Sequence, residues 1–146
     1  MAQLPSLSSM ANASIPRPEG YNSQPGLVPV DLADVFDQVS RHFTAVPDAE
    51  DRWLDPTHHQ LGQPAAGDCE DFAVLCWWHS KERGYPARIV LCTVPEQWPA
   101  DGHAVCEAQG WILDVRQVKV VPRQALPYRW QFISDTDLKH WYPITG

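Results

Sequence analysis

The sequence is short of positive charge. Eleven Lys and Arg stand against eighteen Asp and Glu, a net charge of −7, so no basic surface for a phosphate backbone is expected and nucleic acid is excluded as an expected partner. Cysteine is also scarce. Cys69, Cys76, Cys92 and Cys106 are the four in 146 residues, with no CxxC pair, no zinc-type spacing and none of the density of a disulfide-stapled secreted domain. They read as free thiols. No stretch approaches the roughly 20 apolar residues of a membrane span. The first twenty residues, MAQLPSLSSMANASIPRPEG, lack the charged start and apolar run of a secretory signal.

What is present suffices for one compact domain. At 146 residues and 44% hydrophobic, with seven Trp, such a chain can bury roughly two-thirds of its unfolded surface. Residues 1–30 are rich in Pro, Ser, Asn and Gly and have too few spaced apolar residues to fold alone. They read as an arm, either disordered or ordered by lying along a partner subunit or assembly. Residues 31–146 are the expected domain.

Its first element begins at Asp31, where Asp31 and Asp34 suit the cap and third position of a helix. Leu32, Val35, Phe36, Val39 and Phe43 then recur at helical spacing. The stretch VPDAEDRWLDPTHHQLGQPAAG carries three prolines and reads as loop, with His58 and His59 solvated rather than binding a metal. GDCEDFAVLCWWHSKERG reads as a helix from Cys69 to Arg83, capped by Asp68, stopped by Gly84 and apolar on more than one face. Trp77 and Trp78 within it read as packing.

Downstream, ARIVLCTV is strand-like, and HAVCEAQGWILDV is hairpin-like with a turn at Gln109-Gly110. Tyr128, Trp130 and Phe132 alternate with polar residues, as if on one buried face of a further strand. The predicted fold class is α+β, helices followed by an antiparallel sheet.

Cys69 is where chemistry concentrates. A thiol at a helix N-terminus is favoured as thiolate by free N–H groups and the helix dipole, and those amides also suit a developing oxyanion. Such a nucleophile needs a base, and the base needs an orienting acceptor. With the turn at Gln109-Gly110, His103 faces Arg116 across the hairpin. Asp114 then lies one diagonal away on the same face, within reach of the imidazole. A turn one residue longer or shorter would separate them. Residue order alone carries little, since four Cys, six His and eighteen acids yield some Cys-His-Asp order by chance.

GDCEDFA, a following strand, a HAV segment, WILD, and the closing YRWQFIS and HWYPI together resemble the bacterial transglutaminase-like cysteine proteinases over roughly residues 31–144. That family has a papain-like core and includes periplasmic proteases that cut biofilm adhesins, as well as bacteriophage-encoded relatives. The resemblance implies a cysteine endopeptidase or amide hydrolase acting on a protein substrate. Cys69 would attack the carbonyl, His103 shuttle the proton and Asp114 hold the imidazole. Where the family commonly has Asn after the triad Asp, this chain has Val115, so the support of Asp114 is not carried over.

Asp68, Glu70 and Asp71 should oppose thiolate formation at Cys69 by like-charge repulsion. In adhesin-cutting relatives the acids flanking the nucleophile bind calcium, and Asp68 and Glu70 match those positions, so the resemblance implies Ca²⁺ there. The plainer reading is a cap and dipole complement. Two further functions stay open: transglutaminase-type acyl transfer on the same triad, and a structural or assembly role, as in a virion, with the fold retained. A cytoplasmic or virion-associated location is expected from the missing signal pattern.

Overall fold

A computed structural model of the chain describes residues 27–47, 53–95 and 102–144. The expected arm lies outside the described residues as far as residue 26. The first helix, α1, spans Val30–His42 and buries Leu32, Val35, Phe36 and Val39, the one-sided stripe that their spacing of three and four dictates. It starts one residue before Asp31, without a side-chain cap, at Pro29. Asp34 is drawn instead to Arg83 Nη1 at 2.8 Å, tying α1 to the end of the second helix.

Strand β1 (Phe43–Ala45) pairs in parallel with β2 (Ala65–Gly67). This short ribbon lies partly in sequence that reads as loop, because three residues of Ala and Gly carry no alternation to detect. It delivers Gly67 to the start of α2, Cys69–Glu82. Helix α2 is buried over most of its circumference and packs on α1 and on the sheet. The Phe72 ring takes edge contacts from Phe36 and Phe43, with centroids at 5.8 and 5.3 Å. Gly84, with φ of 89°, supplies the left-handed residue that ends the helix.

The sheet comprises β3 (Arg88–Thr93), β4 (Gly102–Ala108), β5 (Trp111–Leu113), β6 (Val121–Pro122), β7 (Arg129–Ser134) and β8 (Trp141–Pro143). They pair in the order β6-β5-β4-β3-β7-β8, antiparallel throughout. The β4–β5 turn falls at Gln109 and Gly110, both at positive φ, 54° and 89°, as a tight primed turn requires.

β7 departs from simple alternation. Leu91 pairs with Phe132 and Cys92 with Trp130, so Gln131 is an extra residue and the strand is bulged there. Trp130 and Tyr128 therefore pack with Val90, Val105, Ile112 and Ile133, while Phe132 packs with the helices, Ile89 and Leu113. The three aromatics expected on one face are divided between two. The central strands are buried on both sides, an α+β arrangement. No helix among the described residues is long and apolar enough to cross a membrane.

Candidate active site

Cys69 is the first residue of α2, and the residues around it explain its placement. Asp68 Oδ1 accepts from the amides of Glu70 at 3.1 Å and Asp71 at 3.3 Å. Asp71 Oδ2 reaches back to the Asp68 amide at 3.0 Å, closing a reciprocal cap. Asp71 Oδ1 accepts from the Leu54 amide at 2.8 Å, so one buried carboxylate joins the preceding loop to the turn that carries Cys69. A Cβ on Gly67 would collide with Asp71 Oδ2 and with the Asp71 Cβ and Cγ. Only glycine lets that side chain fold back.

These contacts answer much of the like-charge problem around Cys69. Burial pushes the Asp71 carboxyl up, against the pull of the two amides, and Asp68 is bound to the helix end. The cap takes the amides of Glu70 and Asp71, leaving the Cys69 N–H outside its hydrogen bonds. The set of amides available to an oxyanion is thus smaller than a bare helix start would offer.

His103 comes from β4. The pairing of Cys106 with Leu113 and Ala108 with Trp111, continued past the ladder, sets His103 opposite residue 116 and Asp114 one diagonal away. His103 Nε2 lies 2.7 Å from Asp114 Oδ1, and the Cys69 side chain is near enough to favour the charged imidazole. With Nε2 engaged by the carboxylate, Nδ1 is left for the thiol. The structure therefore brings Cys69, His103 and Asp114 together.

Asp114 is fully buried. Its Oδ1 also accepts from the Arg116 amide at 2.9 Å, and its Oδ2 accepts from the Tyr128 hydroxyl at 2.6 Å. The Tyr128 oxygen in turn accepts from Gln117 Nε2 at 3.1 Å and from the Arg116 side chain. Support that the resemblance left open at Val115 thus comes from Arg116, Gln117 and Tyr128. Tyr128 sits on the far flank of β3, and no sequence spacing signals its contact with Asp114.

The electrostatics follow from these partners. Burial disfavours a charged imidazole at His103, yet Asp114 and Cys69 outweigh it and raise the group to about 9. Burial would also raise Asp114, but His103, Tyr128 and the Arg116 amide hold it below the usual carboxylate range. Burial and the Asp114 charge push Tyr128 up to about 12, so its hydroxyl stays a donor. Such a set can hold a proton between a thiol and an imidazole beside a fixed negative charge.

The remaining thiols are core residues. Cys76, Cys92 and Cys106 are buried, and burial raises all three, Cys92 to about 12. Trp77 and Trp78 pack, with Trp77 Nε1 donating to Thr136 O at 3.1 Å. His58 is exposed, but His59 is half-buried and its Nδ1 lies 2.8 Å from His79 Nε2. His79 Nδ1 lies 2.9 Å from Glu82 Oε1 and His59 Nε2 lies 3.1 Å from the Gln63 carbonyl oxygen, so each ring is engaged at both nitrogens. Solvation therefore does not describe His59.

Calcium needs six to eight oxygen ligands. Among the described residues, no three His, Cys, Asp or Glu side chains gather to hold a metal, and Asp68 Oδ1 is already shared by two amides. Asp68 and Glu70 do not by themselves make a calcium site.

A nucleophile-bearing helix laid on an antiparallel sheet that presents a histidine and a carboxylate is the layout of the papain-like, transglutaminase-like cysteine hydrolases. The model of the bacterial transglutaminase-like cysteine proteinases matches residues 26–146, and the chain belongs to that family. No curated protein matches it. Among solved structures it is similar to calcium-bound LapG of Legionella pneumophila, with a TM-score of 0.63 and 20% identity over 80% of this chain and 69% of that one. At that identity the likeness is one of fold. A cysteine protease described as putative, from Cytophaga hutchinsonii, aligns with a TM-score of 0.48 and 17% identity over 86% of this chain and 44% of that one.

Proposed function

We propose that the protein is a cysteine peptidase that cleaves a peptide or amide bond in a protein substrate through Cys69, His103 and Asp114. The observation that carries this reading is the His103 imidazole bonded to buried Asp114 Oδ1 at 2.7 Å, with the Cys69 thiol close enough to raise its proton affinity. The Cys69 sulfur attacks the carbonyl carbon, and the Cys69 amide donates to the oxygen that becomes negative. His103 gives its proton to the departing amine as the C–N bond breaks, leaving a thioester on Cys69. Water then attacks the thioester while His103 takes its proton, and the carboxylic acid leaves with the thiol regenerated. Asp114 holds the ring through both halves without itself taking the proton.

The test is labelling of wild-type and Cys69→Ala protein by a small thiol-reactive probe near pH 7. Fast labelling confined to Cys69 and slowed at least tenfold by His103→Ala supports the reading. Labelling of Cys69 no faster than that of an ordinary thiol sinks it. A labelled amine added with a protein substrate separates hydrolysis from acyl transfer, which would appear as covalent incorporation of the amine.

Calcium comes from LapG, which was solved with the ion bound. For this chain no step is routed through a metal. A calcium-dependent rise in melting temperature that Glu70→Gln removes would assign a site beside Cys69, completed by ligands beyond Asp68 and Glu70.

A further inference from the structure

We infer that Tyr128 is a positioning residue of the Cys69–His103–Asp114 site, which fixes the plane of the Asp114 carboxylate and weakens its pull on the His103 proton. The inference rests on the reading of these three residues as a catalytic site. Asp114 carries two oxygens and one task for them, to present a lone pair to His103 Nε2. Oδ1 does this at 2.7 Å. A carboxylate anchored only at that oxygen could turn about its Cβ–Cγ bond and exchange one oxygen for the other.

The Tyr128 hydroxyl at 2.6 Å from Oδ2 removes that freedom, because rotation would break the shortest hydrogen bond that Asp114 makes. The hydroxyl is held in turn. Its oxygen accepts from Gln117 Nε2 at 3.1 Å and from the Arg116 side chain, so its one proton is left for Asp114. The ring stands edge-on to His103, with centroids 5.7 Å apart and planes at 89°. It also packs on Trp130 at 5.4 Å. The same residue therefore holds the carboxylate by its hydroxyl and the imidazole by its ring.

A donor bonded to a carboxylate stabilises the charged form and spreads its charge. Tyr128 therefore lowers the basicity of Asp114 and with it the proton affinity of His103, which must release a proton to the leaving group. The ionisable groups facing the His103–Asp114 pair are Cys69 from α2, Cys92 from β3, Arg116 beyond β5 and Tyr128 before β7. From inside α2, Cys76 feels the Asp114 charge. Of these, Tyr128 is the one that donates a side-chain hydroxyl to the carboxylate.

Tyr128→Phe keeps the ring against His103 and Trp130 and removes only the hydroxyl. The experiment follows the ring nitrogens of His103 by NMR in histidine-labelled full-length protein across pH, for wild type, Tyr128→Phe and Gln117→Ala. The expected result in Tyr128→Phe is a midpoint raised by about half to one pH unit, a threefold to tenfold gain in proton affinity. The Nε2–H resonance should broaden as the carboxylate exchanges oxygens. Gln117→Ala should move the midpoint the same way by less.

A midpoint in Tyr128→Phe that is unchanged or lowered, with the Nε2–H signal still sharp, overturns the inference. A merely structural role would lower the melting temperature and leave the titration in place. Thiol labelling of the wild type decides the catalytic reading separately: activated Cys69 with superimposable His103 titrations rejects Tyr128 alone, and an inert Cys69 rejects the site.

Discussion

Among the described residues, His103 and His79 are each bonded to a carboxylate with a second side chain beside the ring, and their charges are driven in opposite directions. His103 has Asp114 at 2.7 Å and is raised to about 9. His79 has Glu82 at 2.9 Å and is lowered, because burial outweighs the carboxylate's help. The distances barely differ. What differs is the carboxylate: the Asp114 side chain is 0% exposed and held by further donors, whereas that of Glu82 is 55% exposed and its charge is shared with water. The third partner differs as well, a thiol able to give up a proton at His103 and a second imidazole at His79. A carboxylate makes a histidine basic in proportion to how firmly and how drily it is held.

Exchanging the two carboxylates for amides breaks the comparison most sharply. Asp114→Asn should cut peptidase activity, or Cys69 labelling in its place, by about 10³-fold or more, the scale on which misorienting a triad imidazole acts. Glu82→Gln should leave labelling within about twofold, since an exposed partner contributes little. Comparable losses in the two variants would show that burial of the carboxylate is not what matters.

The pH dependence of stability separates the same two groups. His103, raised from about 6.5 to about 9, stabilises the fold fully below pH 6.5 and loses that contribution as pH rises through 9, on the order of 3 kcal/mol. His79, lowered in the fold, acts with the opposite sign: its contribution is present above pH 6.5 and is lost on acidification. Denaturant melts between pH 5 and 9 should show His103→Gln flattening the alkaline slope and His79→Gln the acid one. If both variants flatten the same limb, the opposition between the two sites is wrong.

A third carboxylate, Asp71, extends the comparison to one held by backbone amides without a histidine. Gly67→Ala would push its side chain off the Asp68 and Leu54 amides. A loss of about 2 kcal/mol is expected in chemical denaturation, the scale of a broken cap plus a stranded buried carboxylate. A loss under about 0.5 kcal/mol would mean that Asp71 can withdraw freely. The smallest effect expected is from Glu82→Gln on stability, below about 0.5 kcal/mol.

What could be read in the sequence was local. Asp68, Cys69 and Gly84 mark a helix by neighbours a few residues away, and Gln109-Gly110 sets a register that carries His103 to Asp114. The pairing of His59 with His79 and of Tyr128 with Asp114 depends on how distant elements pack, which no periodicity encodes. Gln131 was hidden for a different reason. Its bulge keeps the apolar alternation of Tyr128, Trp130 and Phe132 intact in the sequence while turning Phe132 to the other side. The arm expected before residue 31 overlaps the family match, which begins at residue 26.

The hold of Tyr128 on Asp114 also bears on the order of events in folding. The cap around Cys69 and the β4–β5 hairpin can each form from neighbouring residues, but Tyr128 reaches Asp114 only after β7 has docked on the far flank of β3. A chain still emerging from the ribosome would carry the thiol, the imidazole and the carboxylate before it carried the residue that fixes their alignment. The set of Cys69, His103, Asp114 and Tyr128 is therefore complete only once the late, long-range pairing of β7 is in place.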